Sequence, residues 1–219
     1  MATLDRQTFQ AAAAEYAKAL SRADIESLFG VTDGKAVGTF VEHQFNAYLS
    51  DRFAYEPGNS ARGIDFPDLG IDLKVTSTRQ PQSSCPFRDA TQKVYGLGYD
   101  LAVFVYDKTD DQDRQVANLQ ILHVIYLEKE VTSDFQTTTG LLALIENDAN
   151  VDDIDAFLDE RKLPLDEIGR RSLAERILQE PPHPGCLTIS NALQWRLQYG
   201  RAIGLAAIGA VGVTDLVAR

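Results

Sequence analysis

The stretch ARGIDFPDLGIDLKVTS, residues 61–77, decides how this 219-residue chain is read. Pro67-Asp68-Leu69-Gly70 has the composition of a tight turn, and it separates two short runs of strand character. In the second run Ile71, Leu73 and Val75 alternate with Asp72, Lys74 and Thr76. A strand repeats every two residues, so the first three face a core and the others share the opposite face. In the first run Asp65 stands between Ile64 and Phe66 by the same rule. Two carboxylates and an ammonium therefore converge, with Lys74 about 7 Å beyond Asp72 along the strand. Asp65 and Asp72 are candidate ligands for Mg²⁺, which takes a few hard oxygens and keeps water. A cation beside an ammonium can activate water and neutralise charge on a phosphodiester. The competing reading is a salt-bridge network on a solvated sheet face, since exposed ion pairs are common and weak.

Upstream, residues 6–20 are rich in Ala, with Phe9, Tyr16 and Leu20 near helical spacing, and predict a helix. A short helical piece is expected at 23–29. After Asp33-Gly34, an apolar stripe of Val37, Phe40, Val41, Phe45, Tyr48 and Leu49 predicts a second long helix, with Glu42 and Asn46 off its centre. Residues 55–62 carry Pro57, Gly58, Asn59 and Ser60 and read as a loop.

Downstream, residues 78–87 are a polar loop with two prolines, and 88–97 look helical. Residues 100–107 (DLAVFVYD) and 119–127 (LQILHVIYL) read as buried strands joined by the acidic turn DKTDDQD. The pattern turns helical from Phe135. Residues 146–160 hold seven acids in fifteen, which is most simply a solvated surface. Residues 166–179 predict an amphipathic helix with Arg170, Arg171 and Arg176, and residues 152–179 are a weak candidate for a helix-turn-helix. Residues 190–199 are expected to be helical, with Ser190 as N-cap. Residues 202–214 form an apolar run of 13 with three glycines. A membrane span needs about 20 residues, so a buried element is expected and no membrane association.

The formal net charge of −11 and the pI of about 4.7 count against a nucleic-acid protein. Binding depends on the local field, however, and metal-binding carboxylates themselves add negative charge. Cys85 and Cys186 lack a C-x-x-C partner and are too few for a disulfide framework, so a reducing cytoplasm is expected. His43, His123 and His183 share no metal spacing, and His123 reads as a core or half-buried histidine.

The spelling IDFPDLGIDLK resembles the PD-(D/E)xK nuclease superfamily, which includes most type II restriction endonucleases. It is most similar to the MutH-type mismatch-repair nicking branch, where an Asp and a short turn precede L-G-[VI]-E-L-K. Asp65 and Asp72 have that separation, with Leu69-Gly70-Ile71 and Leu73-Lys74 in register. Upstream, Gly34-Lys35-Ala36-Val37-Gly38-Thr39-Phe40-Val41-Glu42 is similar to the branch's helix K-G-x-V-G-x-x-L-E. Asp72 stands where this branch more often has Glu. The resemblance implies that Asp65, Asp72 and the Leu73 carbonyl hold Mg²⁺, that Lys74 orients or deprotonates the attacking water, and that Glu42 adds an outer contact or second metal position. Asp68 is then a decoy in the turn.

Other residues offer themselves for DNA contact. Gln80, Gln82, Ser83 and Ser84 follow the acid-bearing strand and suit base edges. Arg62, Arg79, Arg88 and Lys93 suit phosphate. Arg196 and Gln198 beside Trp195 are weaker candidates. The expected fold is α/β (α+β), a restriction-endonuclease-like mixed central sheet flanked by helices. A single domain over 1–219 is expected, with a catalytic core at 30–130. A mainly helical part at 131–219 is a candidate for recognition or dimerisation. The function this implies is Mg²⁺-dependent, sequence-specific cleavage of double-stranded DNA by a homodimer, matching a palindromic target. The alternatives are a strand-nicking repair endonuclease and a non-catalytic binding or assembly protein.

Overall fold

The computed structural model describes residues 1–55, 58, 63–85, 88–190 and 195–218. The elements in chain order are β1 (Ala2–Thr3), α1 (Arg6–Leu20), a 3₁₀ turn (Glu26–Leu28), α2 (Gly34–Ser50), β2 (Phe53–Ala54), β3 (Ile71–Ser77), β4 (Gln82–Cys85) and α3 (Gln92–Tyr95). Then come β5 (Asp100–Asp111), β6 (Val116–Leu127), a 3₁₀ turn (Lys129–Val131), α4 (Phe135–Glu146), α5 (Val151–Glu160), α6 (Glu167–Gln179), β7 (Thr188–Ile189), β8 (Trp195–Gln198), α7 (Gly200–Ala207) and β9 (Val213–Asp215). The expected mixed sheet with flanking helices is present. Two compact units are distinguished, residues 1–83, 100–127 and 203–219 in the first, and 84–99 and 128–202 in the second.

The first unit is built on a four-stranded sheet of order β3-β5-β6-β9. β3 and β5 are parallel, with Asp72 opposite Leu101 and Lys74 opposite Val103. β5, β6 and β9 continue antiparallel, with an irregularity at Val105/Tyr106. The β5 strand runs past the expected end, so the turn lies at 112–115 rather than across the whole of DKTDDQD. Half-buried His123 sets Nδ1 2.8 Å from Asp215 Oδ2 and so ties β6 to β9. Helix α1 is started by a reciprocal capping box between Asp5 and Thr8, and α2 by Asp33, whose carboxylate accepts from the Lys35 and Ala36 amides. Val37, Val41, Phe45 and Leu49 of the α2 stripe are buried in one core with Ile71 and Leu73. Phe45 is central, its ring centroid 5.5 Å from Phe9, 5.1 Å from Tyr16 and 5.5 Å from Phe104.

In the second unit, α4, α5 and α6 share a core of Leu141, Ile154, Leu158, Leu173 and Ile177. The acids of α5 are less idle than a solvated face. Arg170 reaches Asp155 at 3.0 Å and Asp159 at 2.9 Å, and Arg171 reaches Asp152 at 2.8 Å. Two arginines that helix recognition of DNA would have used are thus neutralised by α5.

Three expectations are corrected. The helix over 190–199 is instead strand β8, antiparallel to β7, with Ile189 opposite Leu197. Its cue is alternation: Trp195, Leu197 and Tyr199 are buried, while Arg196 and Gln198 are exposed. Ser190 accordingly exchanges bonds with Arg196 instead of capping a helix. The helix over 88–97 shrinks to the four residues of α3. The apolar run 202–214 is not a buried element, because Ile208 and Val211 are exposed and only Ala202 and Val213 at its ends are buried. Most of the expected loop at 55–62, Phe87 and residues 191–194 lie outside the described residues. Among the described residues no helix is long and apolar enough to cross a membrane.

Phe45→Ala removes the ring on which the first unit's aromatic core converges. It should cost about 3–5 kcal/mol in urea unfolding, as buried Phe truncations do. A loss below about 1 kcal/mol would show that the cluster can close over the gap.

Candidate active site

The turn between the two acids is tight and well bonded. Phe66 and Ile71 exchange backbone bonds of 3.0 and 3.1 Å, the Leu69 amide donates to the Phe66 carbonyl at 3.2 Å, and the Gly70 amide to the Pro67 carbonyl at 3.2 Å. Gly70 takes φ +66°, which a residue without Cβ adopts freely. The first expected strand is reduced to this single Phe66–Ile71 bridge. Phe66 still points inward, with its centroid 4.9 Å from Phe9, so Asp65 is turned the other way.

Asp65 is held at two points. Its Oδ2 accepts the Leu73 amide at 2.8 Å, and its carbonyl accepts the Gly58 amide at 3.0 Å. That approach requires glycine, because a Cβ at position 58 would stand 2.4 Å from the Asp65 carbonyl oxygen. Among the described residues β3 is an outer strand of its sheet. A residue's N–H and C=O leave a strand on the same side, so the Leu73 carbonyl faces the edge where Asp65 sits.

Asp72 is only 4% exposed. Burial raises its carboxyl well above the usual carboxylate range; the Lys74 charge opposes the rise, and a hydrogen bond and the charge from Asp65 add to it. Lys74 Nζ lies 2.6 Å from Asp72 Oδ2. This is not the solvated surface pair of the competing reading, since a buried charge pair carries a large desolvation cost. Glu42, on α2, is raised first by burial and then by the charge of Asp65, with Lys74 pulling the other way. The structure thus brings Asp65, Asp72 and Lys74 together and leaves Glu42 within their electrostatic reach.

Among the described residues no three His, Cys, Asp or Glu side chains gather to hold a metal. Two carboxylates and a carbonyl of one edge still suit Mg²⁺, which commonly binds one or two carboxylates and keeps several waters. Asp65 helps to raise the proton affinity of Asp72, and a divalent cation beside such a carboxylate relieves that penalty.

Thr76 completes the acid face of β3, and sequence reasoning gave it no role. Its hydroxyl donates to the Gln80 and Gln82 carbonyls and accepts the Gln82 amide at 3.0 Å. The following loop is therefore pinned to the strand that carries Asp72 and Lys74, with Arg79 and Gln80 exposed and Gln82 and Ser83 half-buried. In the second unit Ser84 and Arg88 are exposed. Lys93 is 2% exposed, with its ammonium 5.4 Å over the Trp195 ring, and this burial removes it from the phosphate contacts expected of it. Arg62 lies outside the described residues.

The family model described as type II restriction enzyme NspV matches residues 3–215. The chain belongs to the NspV family of type II restriction enzymes. A curated relative, the type II restriction enzyme NspV of Nostoc sp. (strain ATCC 29411 / PCC 7524), is 57% identical over 176 residues, covering 80% of each chain. No solved structure matches the chain. In this chain of the family, Asp65, Asp72 and Lys74 are brought together around one turn.

Asp72→Asn should leave the cation-free protein as stable as before or more so, because a buried acid facing Asp65 becomes neutral. Ca²⁺ should raise the Tm of the unaltered protein, by about 2.7 kcal/mol of added stability at a hundredfold excess over Kd. Asp72→Asn should abolish that rise in a thermal melt. An undiminished rise would place cation binding elsewhere.

Proposed function

We propose that this restriction enzyme hydrolyses phosphodiester bonds of double-stranded DNA at a specific sequence, using Mg²⁺ held by Asp65, Asp72 and the Leu73 carbonyl, as in the PD-(D/E)xK nucleases. The observation that carries the reading is the Asp65–Asp72–Lys74 cluster, built around one turn in a chain of the NspV family. The bound cation would neutralise charge at the scissile phosphate and make an attacking water more acidic. Lys74 donates to that water or to a phosphate oxygen and keeps the developing charge paired. Asp65 and Asp72 fix where the phosphate sits, and Glu42 supplies an outer hydrogen-bond acceptor. Water attacks in line with the leaving 3′ oxygen.

The loop anchored by Thr76 is the proposed reader. Arg79 suits phosphate or a guanine edge, and Gln80 suits adenine. Gln82, Ser83, Ser84, Arg88 and Arg62 complete the proposed contact set. A two-fold homodimer would match a palindromic site, with residues 131–219 available for recognition or assembly. Cys85 and Cys186 are buried and outside any disulfide, which fits the reducing cytoplasm proposed for the enzyme.

Digestion of a sequenced plasmid with Mg²⁺ tests the reading. Discrete linear fragments are expected. A nicked circle as end product would point to a strand-nicking enzyme, and intact plasmid under every divalent cation would overturn nuclease function. Asp65→Asn and Lys74→Ala should each lower the cleavage rate by at least about 10²–10³, the scale of losing one electrostatic contact in a transition state. Asp68→Asn, in the exposed turn, should leave cleavage nearly unchanged. The reverse order would assign catalysis to the wrong acid.

DNA affinity should fall with salt, measured with Ca²⁺ in place of Mg²⁺ to block cleavage. Arg79→Ala should reduce the slope of log K against log[salt] by about one if Arg79 touches phosphate. An unchanged slope with relaxed sequence preference would assign it to a base instead.

A further inference from the structure

The acid-bearing turn is gripped from outside by three residues that the reaction itself does not use. Arg6, the first residue of α1, donates from Nε to the Leu69 carbonyl at 3.0 Å. Its guanidinium also reaches Asp100 Oδ2 at 3.5 Å. Asp100, the first residue of β5, donates its own amide to the Gly70 carbonyl at 2.8 Å. Its side chain is 2% exposed and accepts the Tyr126 hydroxyl from β6. Asp100 also stands opposite Ile71 in the parallel pairing. Two consecutive carbonyls of the turn, at Leu69 and Gly70, are thereby tied to α1 and β5.

The placement of Arg6 is built in. The Asp5–Thr8 capping box fixes the first turn of α1, and the fork of the guanidinium lets one side chain serve a carbonyl and a carboxylate together. Asp100 is a buried carboxylate, and Arg6 is the cation that faces it across the turn. A buried acid at this place costs stability unless it is matched, and the match ties the start of α1 to the turn through the Leu69 carbonyl.

We infer that Arg6, Asp100 and Tyr126 are positioning residues for the catalytic cation. They fix the turn at 67–70, and that turn sets the spacing of Asp65 from Asp72. The inference rests on the cation-site reading above. Residues that orient metal ligands from behind typically change metal affinity or activity by about 10–100-fold when removed.

Arg6 is exposed, so Arg6→Ala leaves no core cavity, and Arg6→Met keeps the stem's packing as a second variant. Direct titration of Ca²⁺ into the DNA-free protein, followed by thermal melting, reads cation affinity without turnover. Both variants should raise the half-saturating Ca²⁺ by about tenfold or more. The Mg²⁺ needed for half-maximal cleavage should rise in parallel, while KM for DNA at saturating Mg²⁺ changes little. Tyr126→Phe should shift the cation requirement in the same direction. A lowered Tm with unchanged half-saturating Ca²⁺ would make the network structural only and overturn the inference. Asp72→Asn is the control: if it retains the Ca²⁺ response, the cation-site reading itself has failed. If it loses the response while Arg6→Ala keeps normal affinity, only the positioning role has failed.

Discussion

The bond from the Leu73 amide to the Asp65 carboxylate joins the two halves of the site. It exists because, among the described residues, β3 lies at the outside of its sheet, where alternate amides have no strand to bond. A buried amide needs a partner, and here the partner is an acid delivered by a six-residue reversal. Asp72 and Lys74 then follow from strand periodicity alone, on the face opposite Ile71, Leu73 and Val75. The core beneath, with Phe66 driven into the rings of Phe9 and Phe45, holds the reversal in place. Folding free energy from aromatic burial thus maintains two carboxylates close together, against their repulsion.

An acidic chain that acts on a polyanion must separate its charges. Part of the acidity is spent internally: Asp152, Asp155 and Asp159 are paired with α6 arginines. Arg114 is likewise held by Asp24 and Asp111. Among the described residues Arg79, in the loop that follows the acid strand, is exposed, as is Arg88 of the second unit. A divalent cation between Asp65 and Asp72 would supply positive charge at the point where the scissile phosphate must approach.

The legible parts of this molecule were those with a short period and a chemical reason. The alternation of Ile71, Leu73 and Val75 with Asp72, Lys74 and Thr76 and the turn at 67–70 could be read directly, as could the α2 stripe. The β8 strand was missed because Ser190 looked like a helix cap, although Trp195, Leu197 and Tyr199 alternate. The run at 202–214 misled because apolar composition does not guarantee burial: Val211 is 92% exposed. Lys93 is buried by tertiary neighbours, among them the Trp195 ring, that the local sequence does not show. Arg6 and Asp100 had no local signal at all. Their partners lie far away in sequence, and only the fold brings them to the turn.

Anomalous diffraction from crystals of the protein soaked in Mn²⁺ tests the central claim most directly. The account predicts a metal peak within coordination distance of the Asp65 and Asp72 carboxylates and the Leu73 carbonyl, and its loss in Asp72→Asn. A peak on other acids of the chain, with none between Asp65 and Asp72, would contradict it.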